Sequence, residues 1–433
     1  MKIILRSAWA LLFVALAGTL TAREPLVLTL DSAVNYAVRH NRMLINSRYS
    51  VNKMTQRVRE SIATGLPQIN ATIDYTNYLG AEATLKLSEA APPATISFNP
   101  TSNLKAGVSQ LVFSGSYIVG LQIANLAKKL SEQSYQKDEA DVKEQAIQAY
   151  YLILASERIL GVLKENAVNA RQIWEKTTNI AQAGMLEETD AKKLQIMVTT
   201  VENQVKSTER QVELGYNLLR LQLGLDPGQP VNLSSTLDDL ANRFLFLAVP
   251  APAFNVNENV NYKLVQMNEE IARKTIRLHQ SSYLPTLAAF YSYNEKLKKP
   301  LFDMTPKHAV GLTLSIPIFS GGQRLAQVKQ AGIDRDVAEN SRKLLAQQLM
   351  IQDQQQRYTY QNLLDQFMNQ KVNKEIAHEV LEQTERKYSQ GVVSTLELTS
   401  ANSDYLVTET TYTSLLLQLL NAELSIRKTN NQL

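Results

Sequence analysis

Cysteine is absent from this 433-residue chain. That excludes disulfides, thiolate metal sites and a cysteine nucleophile. Other chemical signatures are missing as well. There is no GxxxxGK phosphate loop, and Ser320-Gly321-Gly322 reads as a strand-to-helix turn. The four histidines, His40, His279, His308 and His378, lie far apart. His378-Glu379 opens like a zinc motif, but position 382 is Glu382, so the motif fails. No serine sits in a triad signature. The formal net charge is only +4 and no basic run stands out, so nucleic-acid binding has no electrostatic support. These absences predict a protein that is not an enzyme and that holds neither cofactor nor metal. Proline is missing from Gly115 to Ala181, so nothing there breaks a helix. Beyond the N-terminus no run of about 20 apolar residues occurs, so no membrane-spanning helix is expected.

The N-terminus carries Lys2 and Arg6, an apolar run from Ala8 to Leu20, and small residues at Thr21-Ala22. This predicts a secretory signal over residues 1–22. No cysteine follows it to carry a lipid anchor.

Three short landmarks then recur in order. Gly65-Leu66-Pro67-Gln68-Ile69 returns as Tyr283-Leu284-Pro285-Thr286-Leu287. Leu111-Val112-Phe113-Ser114-Gly115 returns as Pro317-Ile318-Phe319-Ser320-Gly321. Gln182-Ala183-Gly184-Met185-Leu186 returns as Ser389-Gln390-Gly391-Val392-Val393. The last two glycines are 69 residues apart in the first set and 70 in the second. Matched order and spacing predict an internal duplication. The first half has 12 extra residues within 81–103, a stretch rich in Ala, Pro and Ser that reads as a longer loop. The predicted plan is a first repeat over 23–229, a connector over 230–256 and a second repeat over 257–433.

Each repeat begins with a helix and continues into a strand hairpin, about 67–113 and about 285–318. Ile69, Ala71, Ile73 and Tyr75 alternate with polar residues, and Val310, Leu312, Leu314, Ile316 and Ile318 alternate with Ala309, Gly311, Thr313 and Ser315. Phe290 breaks the alternation of its strand. Runs of roughly ten residues suit tilted strands that cross a bilayer, with Tyr75, Tyr78, Tyr291 and Tyr293 placed for an interfacial belt. Long helices follow, about 115–182 and 186–224, then about 320–389 and 394–429. Leu398, Ala401, Tyr405, Thr408, Tyr412, Leu415, Leu419, Ala422 and Ile426 hold one coiled-coil register. A helix of about 65 residues runs roughly 100 Å. The seams are mostly Ala, Val, Ser and Thr, which suits a curved wall. Four strands are too few to close a barrel, and open edges in lipid are prohibitive. Three copies would supply 12 strands. The expected fold class is therefore α plus transmembrane β, with two internal repeats, in a chain that must oligomerise to close its strands. The contrasting expectation is an exported coiled-coil surface or scaffold protein without channel activity.

These landmarks, together with the entry segment Leu28-Thr29-Leu30-Asp31-Ser32-Ala33-Val34, make the chain resemble the TolC-type outer-membrane efflux family. The resemblance covers nearly the whole chain after the leader. It implies a homotrimer in the bacterial outer membrane, in contact with outer-membrane lipid, whose 12-stranded β-barrel is continued by a long α-helical coiled-coil barrel in the periplasm. It implies a periplasmic adaptor and an inner-membrane pump of RND or ABC type as partners, in efflux or type I secretion. The turns at Gly184-Met185-Leu186 and Gly391-Val392-Val393 would be the periplasmic tips that meet the adaptor. Tyr388 would match a tip tyrosine that pairs with the acid at Asp190, and Glu397 would match an acidic ring at the constriction. Asp190 and Glu397 also read as acids that complement helix dipoles. Val393 stands where the family's best-known member has arginine, and Ser400 where it has a second acid. The charged lock is accordingly expected to be weaker here.

Overall fold

The computed structural model describes residues 25–86, 93–245, 253–298 and 304–433. The expected signal segment lies outside the described residues. In chain order the elements are β1 (Leu26–Leu28), α1 (Leu30–His40), α2 (Arg42–Ala63), β2 (Gln68–Thr76), β3 (Glu82–Leu85), β4 (Ala94–Ser97) and β5 (Thr101–Phe113). They continue with α3 (Gly115–Gln182), α4 (Glu188–Leu223), β6 (Val231–Leu233) and α5 (Leu237–Leu245). After a 3-10 turn at Val256–Glu258 come α6 (Val260–Ser281), β7 (Thr286–Lys298), β8 (His308–Ser315), α7 (Gln323–Ser389) and α8 (Thr395–Thr429).

Two compact units share these elements. Among the described residues, those up to Ile45 with Asp138–Phe254 and Gln352–Leu433 form a helical unit. Asn46–Lys137 and Asn255–Ile351 form a strand unit.

In the helical unit, apolar positions three and four apart on each helix face inward. Leu30, Ala33 and Ala37 of α1, Tyr150, Ile153 and Leu154 of α3, Leu219 and Leu223 of α4, and Leu416, Leu420 and Leu424 of α8 are all buried. The buried Tyr150 hydroxyl donates to the Leu28 carbonyl at 3.0 Å. That bond ties α3 to β1, which runs parallel to β6. Part of α3 is apolar enough in composition to span a bilayer, and more than half of it is buried within the fold. Its apolarity therefore reflects helix packing. Helix α4 ends at Gly224, with φ +68°, where a Cβ would meet the His40 carbonyl oxygen at 2.2 Å. Toward the tips the core thins to small clusters, one of Leu163, Val201 and Leu406, the next of Leu194, Leu381, Leu398 and Ala401.

Hydroxyls on α4 and α8 turn back on their own helices. Thr199, Thr200 and Thr208 donate to the carbonyls of Gln195, Ile196 and Gln204. Thr410, Thr411 and Thr413 donate to those of Leu406, Val407 and Glu409.

The strand unit holds a four-stranded antiparallel sheet in the order β2-β5-β7-β8. Its register puts Ile69, Val108, Tyr291 and Val310 side by side on one face, and Ile73 beside Leu104. That face is bare: Ile69 is 76% exposed and Val310 83%. The opposite face is polar, with Asn70, Gly107 and Ser292 in one row and a Lys105–Asp74 pair at 3.2 Å. Phe290 falls on the polar face. Its ring lies against Gly311, where a Cβ would come within 2.8 Å of it. The glycine opposite explains how the exception to the alternation is housed.

Two details differ from the sequence expectation. The longer loop of the first hairpin contains a small ribbon of its own, β3 paired antiparallel with β4. Strand β8 stops at Ser315, short of Ile316 and Ile318, because Pro317 has no N–H to donate to a ladder.

Candidate functional site at the helix tips

In the helical unit, α3 passes to α4 and α7 passes to α8 through the same turn. Gly184 and Gly391 both have φ +76°. Gly184 N–H donates to Ala181 O at 2.9 Å and Met185 N–H to Ile180 O at 3.1 Å. Gly391 N–H donates to Tyr388 O at 2.9 Å and Val392 N–H to Lys387 O at 3.0 Å. These paired bonds define a Schellman termination, and a left-handed glycine makes it accessible. Met185 and Val392 project into open surroundings at 78% and 69% exposure. Leu186 is less exposed, and Val393 is partly buried.

The restarting helices are capped differently. Ser394 accepts the Glu397 N–H at 3.3 Å, which makes Ser394-Thr395-Leu396-Glu397 the start of a capping box. The Glu397 side chain is exposed. At α4 the N-cap is Glu187, with no side-chain cap bond, and Asp190 N–H reaches its carbonyl at 3.0 Å. The Asp190 carboxylate lies 3.4 Å from Lys193 Nζ.

Tyr388 joins three helices. Its hydroxyl is 3.1 Å from Thr177 Oγ1 on α3 and 3.2 Å from Thr395 Oγ1 on α8. Both threonines are almost fully buried. The ring packs against the Leu194–Leu381–Leu398 cluster. Tyr388 and Asp190 line one cavity of about 690 Å³, together with Ile173, Lys176, Thr177 and Glu385. The tyrosine hydroxyl is committed to the threonines and the aspartate to Lys193. Glu385 titrates above the ordinary glutamate range because burial disfavours its charge, with Glu382 adding repulsion and His378 opposing it.

Sequence reasoning missed Thr177, Thr395 and Glu385. Only Thr395 carried a local signal, since it directly follows a cap serine. Among the described residues no group of three or more metal-ligating side chains comes together. The site offers hydrogen bonds, small apolar contacts and carboxylates, with no nucleophile–base pair. It can hold helices together.

The chain was compared with known proteins. The sequence profile of the outer membrane efflux protein family (OEP) matches residues 263–432. The outer membrane protein TolC of Vibrio cholerae is 25% identical over 321 residues, which is 70% of each chain. TolC of Escherichia coli K12 is 21% identical over 64% of this chain and 56% of its own length. Among solved structures, CusC superposes with a TM-score of 0.76 at 16% identity, over 92% of this chain and 91% of that one. VceC of Vibrio cholerae gives 0.73 at 14% identity, over 92% and 95%.

The fold is thus that of outer-membrane channels with a helical body. Residues 263–432 match the outer membrane efflux protein family, and the similarity to TolC outer-membrane proteins places the chain in the outer membrane with its long helices in the periplasm.

Proposed function

We propose that the protein is the outer-membrane exit duct of a tripartite efflux or type I secretion system. The observation that carries this reading is the sheet itself. One face is bare and apolar, and among the described residues β2 and β8 each leave an edge unpaired. Four strands cannot close, and a lipid-facing edge leaves its backbone groups unsatisfied. Three copies joined β8 to β2 would make a closed 12-stranded barrel with the apolar face toward lipid and the polar face toward water. Strands β2, β5 and β7, with 9, 13 and 13 residues, are long enough to span. The element order helix, hairpin, long helix, shorter helix occurs twice, which supports an origin by duplication.

In this reading Tyr388, Asp190 and Glu397 act at the gate. Gly184, Met185, Leu186, Gly391, Val392 and Val393 form the tips that a periplasmic adaptor contacts. An inner-membrane RND or ABC pump would provide the energy, since passage through the duct is passive. An exported scaffold without channel activity would have no use for a bare apolar sheet face of bilayer-spanning length, which weighs against that alternative.

The test is reconstitution of purified protein in planar bilayers. Discrete single-channel steps from a trimeric species are the expected result. A detergent-free monomer that never conducts would overturn the proposal.

A further inference from the structure

The strand unit carries a second feature that the duct reading does not use. One face of α6 bears Lys263, Glu270, Arg273, Lys274 and Arg277 at helical spacing, and Arg342 of α7 joins them around an open groove of about 810 Å³. Under them sits Glu269, only 4% exposed. Its carboxylate accepts from Arg273 Nη2 at 2.5 Å and from Arg342 Nε at 2.5 Å. Arg342 also donates through Nη1 to the Tyr262 hydroxyl at 2.7 Å. The buried carboxylate therefore fixes two guanidiniums without exhausting them. Arg342 retains Nη2, and Arg273 retains Nε and Nη1. Lys274 is held by the Gln122 side chain at 2.8 Å. Among the described residues, Lys263 and Arg277 have no carboxylate within ion-pair distance. The groove lining holds five cationic and two carboxylate side chains, a surplus of three positive charges.

Such a surplus on a preorganised frame is unusual in a chain of nearly balanced charge. A stripe of this kind is ordinarily a solvated face whose cations are paired with neighbouring acids. Here the one buried acid positions arginines, and among the described residues the other cations face the same groove with no carboxylate within ion-pair distance. Forked guanidiniums match the oxygens of a phosphate group, and adjacent ammonium groups add point charges. From Lys263 to Arg277 the stripe extends about 21 Å along the helix, long enough for more than one phosphate oxygen cluster.

We propose that this groove is a binding site for phosphate-bearing anions, with Arg273 and Arg342 as the oriented pair and Lys274 and Arg277 as the outer cations. The phosphate can belong to a free solute or to a lipid headgroup, and the two sources separate experimentally. The probe for the first is inorganic pyrophosphate, titrated calorimetrically at low salt into the purified full-length protein. The probe for the second is phosphatidylglycerol, introduced in phosphatidylcholine vesicles containing it and read as lipid retained by the protein in native mass spectrometry. The test variant is K274Q/R277Q, which leaves Glu269 and its arginines in place. Arg277→Gln alone serves as the second variant, since that side chain makes no bond whose loss could unfold the protein. The control is K206Q/R210Q, which removes the same charge from an exposed stretch of α4.

The expected result is binding of one probe that K274Q/R277Q weakens about tenfold or more, as two lost charge-assisted contacts imply. Arg277→Gln should weaken it in the same direction, and the control should leave it unchanged. Pyrophosphate binding assigns a solute site, and phosphatidylglycerol retention alone assigns a headgroup site. If neither probe binds, or if the control weakens binding as much as the test variant, the proposal is overturned. None of these outcomes depends on channel conductance, so the site and the duct stand or fall separately.

Discussion

Tyr388 and Thr177 meet hydroxyl to hydroxyl at 3.1 Å, which fastens the end of α7 to α3. The same tyrosine oxygen reaches Thr395 at the start of α8. Replacing Tyr388 with Phe keeps the ring in its cluster and removes both bonds, leaving two buried threonines short of a partner. The cost should be about 1–3 kcal/mol. If these bonds hold the tips closed, bilayer recordings of Tyr388→Phe will show shorter closed times and a higher open fraction than wild type. Unchanged gating with a lowered melting temperature would make the tyrosine a packing residue only.

Glu397 raises a separate question, because its backbone N–H is capped by the Ser394 hydroxyl while its side chain is exposed. Ser394→Ala should cost about 1 kcal/mol by removing the cap, with no effect on ion preference. Glu397→Gln keeps the cap and removes the charge. If the carboxylate contributes to an acidic ring at a constriction, the reversal potential under a salt gradient will shift toward anions in Glu397→Gln and stay put in Ser394→Ala. An equal response from both variants would contradict a role for the charge.

What the sequence made visible was periodic or local. Period-two alternation marked β2, β7 and β8, and glycine after an unbroken helical register marked both tips. The misses share a cause. The β3–β4 ribbon sits in a stretch of Ala, Pro and Ser with no alternation to read. The sequence pattern overruns β8 because its apolar alternation continues past Pro317, which the ladder cannot. The Tyr388–Thr177 bond spans 211 residues, and the arginines on Glu269 come from two helices. Pairings of that kind depend on how helices are placed beside one another, and no repeat in the chain encodes them.

Glu409 is the most consequential buried charge in the helical unit. It is 5% exposed, lies 3.3 Å from Arg158 and 3.8 Å from Lys374, and both cations also approach the Tyr412 ring. Arg158 is held in turn by Asp238 of α5 at 2.5 Å. Glu409→Ala removes the shared counter-charge from a low-dielectric site, so a loss of about 3–5 kcal/mol is expected. Thermal scanning of the purified protein should show a fall in melting temperature well beyond that of a surface control such as Glu188→Ala.

Glu423 gives the helical unit a pH dependence. Burial pushes its carboxyl above the ordinary value of 4.5, and Arg427, 3.8 Å away, offsets this only in part. Its Oε2 is buried without a partner. The folded chain therefore holds this proton more tightly than the unfolded chain, and ionising the group costs stability as pH rises above 4.5. Glu423→Gln should melt higher than wild type at pH 7, with the two curves converging below about pH 4.5. A constant difference across that range would show that the side chain does not titrate as described.

The threonines of α4 and α8 make composition a poor guide to how adhesive these helices are. Counted by residue type, they present a surface dense in hydroxyls. Counted by available protons, they present far less, because Thr199, Thr200, Thr410 and Thr411 have already given theirs to their own backbone. Where these faces line the proposed duct, a solute moving past them would stay hydrated and find few donors to trade its water for. Such a wall would be wettable yet have little to grip with, so residence would be brief and chemically indifferent, and selection among cargoes would have to be made elsewhere.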